Sequence, residues 1–248
     1  MRPRTIRMIR GTGWTFIWLG FYLMGFVAYQ LWFTNLLTAR DQSSLAAGLD
    51  AHYEEVVVEE VEYVPVVVPG GTTTTTVPSQ EPIPDPVPRI LLVERESEVG
   101  EAFGQIRIPA IDLDVTMVEG VRRRDLKKGP GHLTGSPLPG QPGNAIVSGH
   151  RTTYGAPFGN LGDLTPGARI EVETALGIHV YEVRAAPERC RTEDGLCVVK
   201  PTDLWVTEPL EGAWLTLTTC HPKFSASRRL IVFAELVAGP NAEVILGT

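Results

Sequence analysis

Apolar and polar positions fall into three textures along the chain. Trp14–Phe33 reads WTFIWLGFYLMGFVAYQLWF, part of a stretch without charge from Gly11 to Ala39. Twenty helical residues reach about 30 Å, the thickness of a bilayer's hydrocarbon layer, so a transmembrane helix is predicted over 14–33. Beyond Gly104, short apolar runs recur with Gly and Pro between them. They are Gln105–Ile108, Val115–Glu119, Asn144–Ser148, Arg169–Val172, His179–Val183, Val198–Lys200, Leu215–Thr219 and Leu230–Phe233. Helical turns are expected only near Arg123–Lys127 and Phe158–Leu164. The pattern predicts an all-β fold, a closed antiparallel barrel of about eight strands over residues 102–248. The stretch between these regions has neither period. Glu54–Val68 mixes Glu with Val, Thr72–Thr76 is five Thr in a row, and Pro recurs at 78, 82, 84, 86 and 88. Such composition favours extended chain and cannot bury a core, so residues 34–101 are expected to be a disordered, low-complexity linker acting as a stalk.

Composition and charge add an orientation. Hydrophobic residues make up 43% of the 248, enough for one sizeable core. The net charge of −7 is unevenly spread: 13 of the 29 acids lie between residues 41 and 101. No basic patch argues for nucleic acid. Arg2, Arg4, Arg7 and Arg10 precede the apolar run, so residues 1–13 are expected to stay cytoplasmic. That makes the chain a single-pass type II protein of the cell membrane, with everything after the helix extracytoplasmic. A cleaved signal peptide is the rival reading. It would have a core of roughly 7–15 apolar residues and a small-residue cleavage site just after it. Here the core is longer, and Ser44-Leu45-Ala46 lies too far downstream.

The candidate chemistry sits in LTLTTCHPKFSASRRLIVF, residues 215–233. Leu215 and Leu217 share one strand face, and Thr216, Thr218 and Cys220 share the other. Pro222, Ser225, Ala226 and Ser227 make a loop, and Arg229 opens the next strand, so a thiol and a guanidinium can stand side by side. A lone strand Cys is more often a small buried hydrophobe, and that reading stays open. Asn144–Phe158, NAIVSGHRTTYGAPF, puts His150 where a strand gives way to a loop, a usual place for catalytic side chains. His132 competes with it on spacing. His221 adjoins Cys220 and points to the opposite face, His179 opens a strand, and His52 lies in the expected linker.

The residues Thr216–Cys220 followed by Arg229-Leu-Ile-Val resemble the TLxTC…R signature of sortases. Asn144–His150 with the following RTTYGAPF resembles the histidine strand of that family in its actinobacterial class E form. FGQIRIP (103–109) and GPGHLTGSPLPGQPG (129–143) also resemble it, so the likeness covers about residues 102–237. It implies a cysteine nucleophile at Cys220, the family histidine at His150 and the family arginine at Arg229, on an eight-stranded sortase-type barrel. The implied activity is cleavage of a sorting signal resembling LPXTG or LAXTG between Thr and Gly. The protein then passes through a thioacyl enzyme to an amine of a peptidoglycan precursor. The implied partners are secreted proteins with a C-terminal sorting signal, that amine, and the membrane.

Further expectations follow from the same likeness. Thr219 would hold substrate backbone and Tyr154 would read the signal's second residue, each with a plain packing role as the alternative. No acidic cluster resembles the calcium-dependent class, so no metal or other cofactor is expected. With Cys220 free, Cys190 and Cys197 around RTEDGL are expected to form a disulfide, the alternative being two unpaired surface thiols. Two other activities remain: a membrane-tethered barrel that only binds wall components, and hydrolysis with water in place of the amine. A pilus-polymerising variant is disfavoured because Asp85-Pro86 is followed by Val87 and no C-terminal anchor is seen.

Overall fold

The computed structural model describes residues 3–29, 34–55, 58–63 and 89–247. A first helix, α1 (Pro3–Ala28), contains the stretch Gly11–Ala28, long and apolar enough to cross a membrane and buried nowhere against the rest of the chain. Residues 30–33 of the predicted span lie outside the described residues.

Eight strands close into a ring: β3 (Ala102–Ile108), β4 (Leu113–Glu119), β5 (Gly131–His132), β6 (Gly143–Ser148), β7 (Arg169–Thr174), β8 (Gly177–Val183), β10 (Ala213–His221) and β11 (Arg228–Ala238). Around the ring the order is β10-β6-β5-β4-β3-β7-β8-β11, and β11 returns to β10. The barrel is mixed rather than purely antiparallel, because β6 runs parallel to β10 and β5 parallel to β4. β5, only two residues long, carries too short a pattern to be seen in the sequence. A ninth strand, β9 (Cys197–Val199), lies against the start of β11 outside the ring.

Period-two alternation fills the barrel. Leu215 and Leu217 of β10 face inward, beside Ala145 and Val147 of β6, with Ile106, Met117, Val172, Tyr181 and Leu230 around them. β11 is apolar on both faces because it serves two cores. Leu230, Val232, Ala234 and Leu236 point into the barrel, while Ile231 and Phe233 pack outward against Val199, Val206 and the cysteines Cys190 and Cys197. Those two cysteines are bridged, with Cα atoms 4.7 Å apart.

The stretch expected to be a disordered linker departs from that reading. Thr34–Glu55 is a helix, α2, docked on the barrel. The Gln42 side chain accepts from the Thr116 amide (2.8 Å) and donates to the Thr116 (2.9 Å) and Lys128 (2.8 Å) carbonyls. Thr38 donates to the Lys127 carbonyl at 3.1 Å, Tyr53 to the Glu173 carbonyl at 3.1 Å, and Leu49 is buried. Further along, β1 (Val58–Tyr63) pairs antiparallel with β2 (Arg89–Glu94). Leu91 is buried, and Leu92 bonds through its amide to Asn241 Oδ1 and through its carbonyl to Gln141 and Asn241. Helix and strand escape the sequence pattern because they dock through scattered polar side chains rather than a continuous apolar stripe. The Thr-rich and Pro-rich runs themselves lie outside the described residues.

Candidate active site

Two parallel strands end together. Ser148 of β6 pairs with Thr218 of β10, and the Gly149 amide continues the ladder to the Thr218 carbonyl at 3.0 Å. His150 and Cys220 each lie two residues past that pair, on neighbouring strands whose usual separation is about 4.8 Å. On the other side of β10, Cys220 is the cross-strand partner of Arg229 in β11. The three candidate residues therefore converge at one end of the barrel. Cys220 is half-buried and is the one cysteine outside the disulfide. Arg229 Nη1 donates to the Ala226 and Arg228 carbonyls, both at 2.9 Å. This holds the guanidinium at the loop mouth and leaves its other N–H donors for a substrate.

Gly149 sets the approach of the histidine. A Cβ there would meet the Phe158 ring at 2.6 Å, so only glycine lets the chain pass over the buried Phe158. The Phe158 amide then bonds the His150 carbonyl at 3.0 Å and closes the loop. The His150 ring lies 4.9 Å from the Tyr154 ring, and its Nε2 is buried without a hydrogen-bond partner among the described residues. Burial, and then the charges of Arg123 and Lys127, push its pKa below the usual histidine value. The ring is thus neutral near pH 7 and able to take a proton.

Thr219 is turned into the barrel. It is buried, and its hydroxyl donates to the Gly149 carbonyl at 2.7 Å. Alternation turns Thr219 inward with Leu217, and the hydroxyl clamps the two strand ends together. Tyr154, expected to read the signal's second residue, stands beside the His150 ring. It lines a cleft of about 340 Å³ between α2 and β4, with Asn35, Gln42 and Asp112, and Lys127 Nζ sits 5.6 Å from its ring centroid. The groove on the Cys220 face of β10 is a separate one, lined by Thr216, Thr218, Arg229, Leu204 and Val206. Tyr154 accordingly backs the histidine ring.

The competing histidines are occupied. His132 is fully buried, with Nδ1 at 2.7 Å from Glu119 and Nε2 at 2.9 Å from the Ser136 hydroxyl. Burial pushes His179 down to about 4, and its Nε2 lies 3.2 Å from the Thr174 hydroxyl. His221 Nδ1 is 2.6 Å from Arg151 Nη1, which also donates to the Cys220 carbonyl at 3.3 Å. Sequence reasoning passed over Arg151, since adjacency to His150 reveals nothing about how far a long side chain reaches.

Comparison with known proteins agrees with this geometry. Sortase SrtE1 of Streptomyces coelicolor is 28% identical over 243 residues, which cover 92% of this chain and 57% of the relative. Sortase D of Bacillus subtilis is 33% identical over 144 residues, 56% of this chain and 66% of the relative. The chain thus spans less than two thirds of the length of these curated relatives. Sortase E from Streptomyces avermitilis superposes with a TM-score of 0.50 at 32% identity, over 57% of this chain and 91% of that one. Sortase E1 from Streptomyces coelicolor, solved with a tripeptide in the active site, gives 0.50 at 28% identity over 59% and 96%. Residues 106–237, more than half of the chain and nearly the whole barrel, match the family described as the Sortase domain. The chain belongs to the sortase family and is similar to its class E members.

Proposed function

We propose that this chain is a membrane-anchored cysteine transpeptidase. It cleaves an LAXTG- or LPXTG-type sorting signal between Thr and Gly and transfers the protein to a peptidoglycan amine. One observation carries this reading: the single free thiol stands at a strand end, with Arg229 across from it and His150 at the end of the neighbouring parallel strand. The sorting peptide lies along the groove over Thr216 and Thr218. Neutral His150 takes the Cys220 proton as sulfur attacks the threonine carbonyl. Arg229 donates to the oxygen on which charge develops. The imidazolium then gives its proton to the departing glycine amine, leaving a thioacyl enzyme. An incoming amine attacks that carbonyl, His150 takes the amine's proton, and the thiol is released. The apolar Gly11–Ala28 helix, preceded by arginines, serves as a type II anchor that leaves the barrel extracytoplasmic. The test incubates the detergent-solubilised chain with LAXTG and LPXTG peptides and amine acceptors, with products identified by mass. Peptide–acceptor adducts that include the threonine carbonyl are expected. Intact peptide under all conditions would refute the reading.

A further inference from the structure

Resting on that catalytic reading, we propose that Arg151 is a positioning residue for the nucleophile. It is a second guanidinium that fixes the end of β10 and favours the thiolate from the side opposite Arg229.

The argument begins with backbone direction. His150 and Arg151 are consecutive in the loop after β6, so their side chains leave the chain on different sides. His150 turns to Tyr154, while the longer Arg151 crosses to β10. There its Nη1 donates to the carbonyl of Cys220 itself at 3.3 Å and to Nδ1 of the next residue, His221, at 2.6 Å. These contacts bind the last two residues of the strand to the loop that carries the histidine. Together with the Thr219 hydroxyl on the Gly149 carbonyl, they set Cys220 against His150 from both faces of β10. A hydrogen bond from an obligate cation also dictates the state of His221. Its Nδ1 must be an acceptor, so the ring is neutral with its proton on Nε2 and adds no competing charge beside the thiol. Burial, and then the Arg151 charge, push the His221 pKa down.

The Arg151 guanidinium is half-buried, with Nε buried and unpartnered among the described residues, so solvent screens its field weakly. The charged and titratable groups around Cys220 come from four elements. They are His150 and Arg151 from the loop after β6, His221 on β10, Lys223 in the following loop, and Arg228 and Arg229 on β11. Asp163, in the turn Leu161–Asp163, balances part of the Arg151 charge. Among the described residues, Arg151 is the one of these cations whose side chain is hydrogen-bonded to the nucleophile's own backbone.

The experiment uses the full chain in detergent and follows iodoacetamide labelling of Cys220 against pH, alongside kcat and KM for a sorting peptide. Arg151→Gln and Arg151→Met both remove the charge, and Met keeps the apolar stem should Gln fold poorly. In either neutral variant the labelling midpoint is expected to rise, because an opposite charge beside a thiol favours the thiolate. Transfer should fall about 10-fold or more in kcat with KM little changed. Arg151→Lys should return the midpoint towards that of the native chain while kcat stays low, because an ammonium cannot reproduce the planar fork. A neutral variant with the native midpoint and native kcat would overturn the proposal. A loss of kcat without any movement of the midpoint would overturn its electrostatic half. Cys220→Ala separates the two readings: residual transfer in that variant refutes the nucleophile assignment, whereas an inert Cys220→Ala beside unaffected Arg151 variants refutes this inference alone.

Discussion

Glu94 offers a direct test of whether the segment before the barrel is part of the fold. It sits at the end of β2 with 5% of its surface exposed, against the turn between β7 and β8. Burial raises its pKa from 4.5 to about 7, partly opposed by the Thr174 hydroxyl and the amides of Leu176 and Ala175. A raised carboxyl pKa means that the folded chain holds the proton more tightly than the unfolded one. The stability Glu94 contributes is therefore fully present below pH 4.5 and is lost as pH rises through about 7. Each pKa unit corresponds to about 1.4 kcal/mol, so the whole loss is about 3 kcal/mol. Glu94→Gln removes the titration while keeping the shape. Urea unfolding of residues 34–248 at pH 4 and pH 8 should show the native sequence losing about 3 kcal/mol more than the variant over that interval. The glutamine chain should be the more stable of the two at pH 8, although its amide takes the place of an oxygen that has no partner. Parallel pH profiles for the two chains would refute the reasoning, because a carboxyl that ionises without penalty is not buried where β2 places it.

Deleting residues 1–99 removes α2 and β2 with the buried Leu49 and Leu91; a loss of about 3 kcal/mol or more against residues 34–248 is expected in the same unfolding assay. Cys220→Ala should abolish transfer by mass assay and leave the unfolding free energy within about 1 kcal/mol, since the thiol is half-exposed at a strand end. Thiol titration of denatured, unreduced protein should find one reactive cysteine, because Cys190 and Cys197 are bridged; a count of three would contradict the bridge.

The barrel was legible in the sequence wherever a strand carried its own alternation. Leu215 and Leu217 against Thr216, Thr218 and Cys220 fixed both the inward face and the position of the thiol. The short loop between β10 and β11 put Arg229 opposite it. What stayed hidden depended on side chains reaching across the chain. Gln42 satisfies backbone groups of Thr116 and Lys128, 74 and 86 residues away, and no local period records such a contact. The roles of Thr219 and Tyr154 stayed open for a related reason: their residue types suit either substrate binding or packing, and neither type carries a local pattern that separates the two. The two-sided apolarity of β11 was visible as a continuous run, but the sequence did not show that Ile231 and Phe233 belong to a second core around the disulfide.

With α1 in a bilayer, the docking of α2 would also fix how far the reactive end of the barrel can stand from the lipid. Asn35, in the first turn of α2, accepts the Gly155 amide at 3.0 Å, so the loop carrying His150 is held six residues beyond Tyr29. Six residues span at most about 22 Å even when fully extended. Tyr63 and Arg89, which pair with each other across β1 and β2, both follow Asn35 in the chain and so add nothing to that reach. With α1 in the bilayer, the enzyme would work on a short leash, sampling acceptors that lie at the membrane surface and not those deep in the wall.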